Sequence, residues 1–110
     1  MDTYYNPADL AQFGNMGEDA PELWKAFTAY YAKVFEDGAL TAREKALIAF
    51  AVAHAIQCPY CIDSYTRVLL EQGVNQEQMI EAIHVAAAIR GGATLAHGMQ
   101  AKNVIQKLEF

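Results

Sequence analysis

Residues 41–78, TAREKALIAFAVAHAIQCPYCIDSYTRVLLEQGVNQEQ, contain the starts and stops of successive helices and no strand pattern. Thr41 followed by Glu44 is a capping box: the hydroxyl takes the amide of the third helical residue and the carboxylate reaches back. From Ala46 to Ala53 the chain is apolar all round. A helix with no polar face belongs at the centre of a core or at a subunit interface, and its alanines let neighbouring backbones come close. It is predicted to run to about Gln57. Pro59 has no N–H to donate and disfavours helical geometry at Cys58. The chain therefore breaks there, with Cys58 at the cap and Pro59 opening a new helix. That helix ends near Gln72, where Gly73 suits a left-handed cap. Asn75, with Gln78 three positions on, starts the next.

Working outward, the same punctuation recurs. The opening stretch to about Gly17 reads as irregular, with a short turn of helix after Pro7. Pro21 suits a first helical position, and Leu23, Phe27, Tyr30, Tyr31 and Val34 then line one helical face until Asp37 and Gly38 end it. Beyond Asn75, Met79, Ile80, Ile83, Val85, Ala86, Ala87 and Ile89 mark an apolar helix. Gly91–Gly92 is expected to interrupt it, and a last helix carries Leu95, Met99, Val104 and Ile105. There is no linker, repeat or low-complexity segment. The expectation is an all-α fold, a single domain over residues 1–110 with about five to six helices.

The bulk numbers set limits on function. Apolar residues make up 54% of the 110 and charged residues 19%, an excess of the first and a shortage of the second. A small domain has much surface for its volume, so the excess points to a face covered by another subunit and hence to a homo-oligomer. Net charge is −5 with no Lys/Arg cluster, which argues against nucleic acid. The N-terminus has neither the basic nor the apolar region of a signal peptide. The longest apolar run, Ala46 to Ile56, is too short for a bilayer. No membrane association and a cytoplasmic location follow as expectations. In a reducing compartment, two cysteines spaced Cys-x-x-Cys point to redox or metal chemistry more than to a structural disulfide.

Cys58 at the cap and Cys61 in the first turn of a helix meet unpaired N–H groups and the positive end of the macrodipole. Thiols so placed fall from a pKa of about 8.5 into the range of roughly 3.5–7.5. The thiolate can attack a disulfide or a peroxide, and the second cysteine then closes an internal disulfide. Two other uses stay open: binding of a metal or metalloid, and a buried pair packed as small apolar side chains. Zinc is poorly served, since His54, His84 and His97 form no H-x₃₋₅-H pair. A c-type haem needs His directly after the second cysteine, where Ile62 stands. His54 lies four residues before Cys58 and is a candidate base. Glu44 has its capping role and a possible proton-relay role. Tyr65, one turn after Cys61, should face the sulfurs. His97 and His84 flank the paired glycines.

CPYC alone is similar to a glutaredoxin site, but glutaredoxins place it after a strand, and here an alanine-rich helix precedes it. The run EKALIAFAVAHAIQCPYCIDSYTRVLLEQGVNQEQMIEAIHVAAAIRGG resembles the carboxymuconolactone decarboxylase-like superfamily, in its alkylhydroperoxidase D-like branch, over roughly residues 41–100. AVAHAIQCPYCIDSYTR and HVAAAIRGGATLAHG most resemble the arsenosugar biosynthesis-associated peroxidase-like proteins. That resemblance implies an all-α bundle, oligomers from dimer to hexamer, and a thiol peroxidase or disulfide reductase linked to arsenic metabolism. It implies Cys61 as the attacking thiol and Cys58 as the resolving one, with a peroxide or protein disulfide as substrate, an external dithiol as reductant and no bound cofactor. The sequence departs from the family at two points: Tyr65 stands where members commonly carry His, and Ala46 where they carry a relay glutamate, two residues from Glu44. The rival reading is a carrier in which the two thiolates hold arsenite or a soft metal without turnover. Lactone decarboxylation does not depend on a Cys-x-x-Cys, so the pair argues against it.

Overall fold

A computed structural model describes residues 6–109. Among them are five helical segments and no strand: a 3₁₀ segment Pro7–Gly17, then α1 (Pro21–Val34), α2 (Ala42–Ala55), α3 (Pro59–Glu71) and α4 (Gln76–Leu108). The all-α expectation holds, and so does the number of helices. The opening 3₁₀ segment is longer than the single turn expected. Asn6 caps it by accepting the Ala8 N–H at 3.1 Å, and Phe13 packs edge-on against Trp24 of α1 with ring centroids 5.0 Å apart. Its last residue has to be glycine: a Cβ at Gly17 would lie 2.6 Å from the Trp24 ring.

The predicted caps form. Thr41 Oγ1 accepts the Glu44 N–H at 3.1 Å, and Glu44 Oε1 accepts the Thr41 N–H at 2.9 Å. Asn75 and Gln78 repeat the exchange at 2.8 and 3.0 Å. Helix α3 ends in a Schellman motif. Gly73 takes φ +80°, its N–H reaches the Leu70 carbonyl at 3.1 Å, and the Val74 N–H reaches Leu69 at 2.9 Å. The two side chains brought together there, Leu69 and Val74, are the largest fully buried ones among the described residues.

The core lies where α2, α3 and the first half of α4 meet. Ala46, Phe50, Tyr65, Leu69, Val74 and Met79 form it, with Cys61 packed at its edge. Helix α2 is central as expected, but its third face is open: Ile48 is 50% exposed and Val52 49%. The expected interruption at Gly91–Gly92 is absent, and α4 runs unbroken for 33 residues. Each glycine weakens a helix by about 1 kcal/mol relative to alanine, yet keeps its N–H. Neither takes a positive φ, so the ladder passes through them. No helix among the described residues is long and apolar enough to cross a membrane.

Candidate functional site

The dithiol sits where two helices are joined with almost no loop. Helix α2 ends in a second Schellman motif: the Gln57 N–H reaches the His54 carbonyl at 3.2 Å and the Cys58 N–H reaches Ala53 at 2.9 Å. Gln57 occupies the left-handed position at φ +58°, which glycine would take at no steric cost. The residue closing that motif, Cys58, is also the cap of α3, with extended backbone at φ −100° and ψ 99°. Pro59 then opens α3, as expected. One turn thus ends a buried helix, starts another and fixes both sulfurs.

The helix start acts on Cys58. Its Sγ accepts the Cys61 N–H at 3.3 Å, as an N-cap oxygen would. Cys61 behaves otherwise than expected. Burial, followed by a hydrogen bond to the Cys58 sulfur and that sulfur's charge, pushes the Cys61 thiol up to about 11. The expected acidification fails at this sulfur because desolvation, followed by the neighbouring sulfur, outweighs the backbone N–H that still favours the thiolate. Both cysteines are free thiols.

Tyr65 lines two cavities together with Cys61, the side on which its spacing predicts it. It is 8% exposed, its ring stacks on Phe35 at 5.4 Å, and its hydroxyl is hydrogen-bonded to that of Tyr31 from α1. Burial and then the Tyr31 bond raise its pKa far above the ordinary phenol value, with the Cys61 charge adding to the same direction. Sequence reasoning missed Tyr31, which it placed among the apolar residues of α1. The signal was the ladder Phe27, Tyr31, Phe35 at four-residue spacing, whose rings are 5.8 and 4.9 Å apart and lead to Tyr65.

Cys61, Tyr65 and Tyr31 lie between two apolar cavities. The smaller, about 520 Å³, is an open groove along Val34, Leu40, Ile48, Val52 and Ile56. The larger, about 960 Å³, is walled by Phe13, Met16, Trp24, Phe27 and Tyr60, and also takes in Cys58. At its wall, the Tyr60 hydroxyl donates to Asp9 at 3.1 Å.

The other expected site residues are placed elsewhere. His54 Nδ1 is bonded to the Phe50 carbonyl at 2.8 Å and its ring packs on Phe50 at 4.5 Å. The helix ends before Cys58, so the four-residue spacing does not bring His54 into either cavity lining. Glu44 is held in the capping box, where the bonds from Thr41 lower its carboxyl pKa. His97 and His84 lie exposed on α4. No group of three or more His, Cys, Asp or Glu able to hold a metal occurs among the described residues.

Residues 21–102 match the carboxymuconolactone decarboxylase family. Protein 4 of the cox locus of Paracoccus denitrificans is 41% identical over 103 residues, covering 94% of this chain and 93% of that one. The alkyl hydroperoxide reductase AhpD of Mycobacteroides abscessus is 43% identical over 47 residues, 43% of this chain and 27% of the reductase. A crystal structure from Methanobacterium thermoautotrophicum superposes with a TM-score of 0.73 at 33% identity, over 76% of this chain and 94% of that one. The apo structure of a carboxymuconolactone decarboxylase family protein from Legionella pneumophila gives 0.66 at 30%, over 88% and 87%.

Proposed function

The chain belongs to the carboxymuconolactone decarboxylase family, and on that premise we propose that it is a dithiol oxidoreductase, reducing a peroxide or a partner's disulfide through an internal Cys58–Cys61 disulfide. The observation that carries the reading is the cysteine pair at the head of α3, where the Cys58 sulfur accepts the Cys61 N–H and Cys61 lines both cavities. The likeness of part of the chain to an alkyl hydroperoxide reductase supports it.

The geometry suits a cycle in which one proton moves within the pair. In the reacting state the pair's proton sits on Cys58, whose sulfur accepts the Cys61 N–H, and Cys61 carries the negative charge. The Cys61 sulfur attacks the terminal oxygen of the peroxide: an S–O bond forms, the O–O bond breaks, and the alkoxide takes the proton back from Cys58 to leave as alcohol. The Cys58 thiolate then attacks the Cys61 sulfenic acid, an S–S bond forms, and hydroxide departs. The dithiol has lost two electrons and the peroxide has gained them; an external dithiol restores the pair. Tyr65 stays neutral throughout and serves as a hydrogen-bond donor to the departing oxygen, with Tyr31 orienting its hydroxyl. Glu44 and His54 shape the helix that frames the site.

Consumption of an organic hydroperoxide by purified protein with a dithiol reductant tests the proposal. Cys61→Ser should lower turnover by at least about 100-fold, the scale of losing a nucleophile. In Cys58→Ser, Cys61 should oxidise once per chain without forming a disulfide. Unchanged turnover in Cys61→Ser would sink the assignment. The arsenite-carrier reading rests on the same two free sulfurs. Stoichiometric protection of both by arsenite, with no hydroperoxide turnover, is the outcome that selects it.

A further inference from the structure

The larger cavity has a wall of its own. The 3₁₀ segment Pro7–Gly17 lies outside residues 21–102, the part that matches the family, yet it closes one side of the space beside the dithiol. Three contacts hold it there. Phe13 sits edge-on to Trp24, Gly17 lets the Trp24 ring come close, and Asp9 accepts the hydroxyl of Tyr60 in α3, 51 residues along the chain. The opposite wall is α1, with Trp24, Phe27 and Tyr31. Cys58 lines this cavity and is absent from the lining of the groove on the other side.

What such a space selects follows from its lining. Its volume of about 960 Å³ is at the upper end for small-molecule sites, which run from roughly 300 to 1,000 Å³. Phe13, Met16, Trp24, Phe27 and Tyr60 offer ring faces, ring edges and a thioether, which suit an aromatic body. Among the described lining residues there is no Lys, Arg or His, and Asp9 is the one charged group. An anion placed here would give up water without gaining a partner, and would meet a like charge. Burial grades along the cavity: Asp9, Gln12 and Asn15 are exposed, the two cysteines are half-buried and Tyr65 is buried. A molecule with an apolar body and one reactive end is thereby oriented with that end at the sulfurs.

We propose that residues 7–17 are a specificity element, which makes the Cys58 side of the dithiol a binding cleft for uncharged hydroperoxides with an aromatic body and turns anionic ones away. The proposal rests on the reading of the two cysteines as a reactive centre and names the class of substrate that centre takes. The ring lies between Phe13, Trp24 and Phe27, and the hydroperoxide lies at Cys61 and Tyr65. The Cys61 sulfur takes the terminal oxygen, the O–O bond breaks, and the remaining oxygen leaves protonated as the alcohol.

Two measurements test this, and one needs no turnover. Trp24 is the chain's one tryptophan and stands in the cleft wall, so its fluorescence reads occupancy. In Cys58→Ser with Cys61→Ser, 2-phenyl-2-propanol, the alcohol that cumene hydroperoxide would leave, should change the emission saturably. Its ring-carboxylated analogue should bind on the order of fivefold more weakly at low salt, the scale of a like-charge contact in water. Asp9→Asn, or added salt, should narrow that gap. With the dithiol intact, kcat/KM for cumene hydroperoxide should exceed that for hydrogen peroxide by at least about tenfold, which burial of about 55 Å² of apolar surface supplies. Phe13→Ala and Phe27→Ala should each cut that ratio by about two- to tenfold, the scale of one aromatic contact. Both side chains are about half exposed, and helix content by circular dichroism checks that the variants fold. No saturable change with the alcohol, equal binding of the carboxylated analogue, or a ratio that neither variant moves overturns the proposal. Saturable, charge-sensitive binding without hydroperoxide turnover sustains the cleft and removes the redox reading. Turnover without preference for the uncharged aromatic substrate overturns the cleft and leaves the redox reading standing.

Discussion

At Cys61, two effects of one helix start pull apart. The Cys61 N–H, bonded to the Cys58 sulfur, also favours the Cys61 thiolate, while burial and the neighbouring sulfur outweigh it and hold Cys61 protonated to about 11. Alkylation of Cys61 should therefore rise with pH towards an inflection near that value. In Cys58→Ser the inflection should fall, because the two contributions of the Cys58 sulfur are gone, yet stay above the ordinary thiol value since burial, the largest cause, remains. The sign for stability follows. A thiol whose folded pKa is raised binds its proton more tightly in the native state. Its contribution is fully present below about 9 and is lost as pH climbs through about 11, so denaturant midpoints should drop across that window, and by less in Cys61→Ala. Tyr31→Phe should remove the partner that orients Tyr65 and lower kcat by roughly tenfold, less than the about 10²–10⁴-fold of losing a positioned proton donor itself. An unchanged kcat in both Tyr31→Phe and Tyr65→Phe removes the phenol pair from the mechanism.

Among the elements, the joint between α2 and α3 is built with a strained residue. Gln57 holds a left-handed conformation that costs an L side chain roughly 1–2 kcal/mol. Gln57→Gly should raise unfolding stability by about 1 kcal/mol in urea titration, with the remainder offset by glycine's greater unfolded freedom. At the other end of the larger cavity, Gly17→Ala places a Cβ against Trp24 and should cost about 1–3 kcal/mol, the range for an overpacked contact. Trp24 is the chain's one tryptophan, so a change in its fluorescence reports the displaced wall directly. Thr41→Ala removes one half of the α2 capping box and should cost about 1 kcal/mol.

For the whole molecule, the core is covered and the second half of α4 is not. If copies bind each other only when folded, mass action raises the melting temperature with protein concentration. A tenfold increase in concentration should raise Tm measurably in scanning calorimetry, and a Leu95→Glu, Met99→Glu variant should lose the dependence. The excess of apolar residues in the composition raises the expectation of a covering subunit, and the ridge of α4 and the open face of α2 are apolar surfaces left exposed.

The sequence by itself determined the helices, because their starts and stops are local: Thr41 with Glu44, Pro59, Gly73, and Asn75 with Gln78 satisfy backbone groups within a few residues. It placed Cys58 at a cap and Tyr65 near Cys61 for the same reason, since a helical turn fixes both. It misread Gly91–Gly92, where low propensity was mistaken for a stop although no donor is lost, and it carried His54 past a helix end that Gln57 closes. Only the tertiary structure decided that Tyr31 meets Tyr65, that desolvation governs Cys61, and that α4 stands bare beyond Arg90. Those facts depend on residues far apart in the chain coming together or failing to, which no local pattern records.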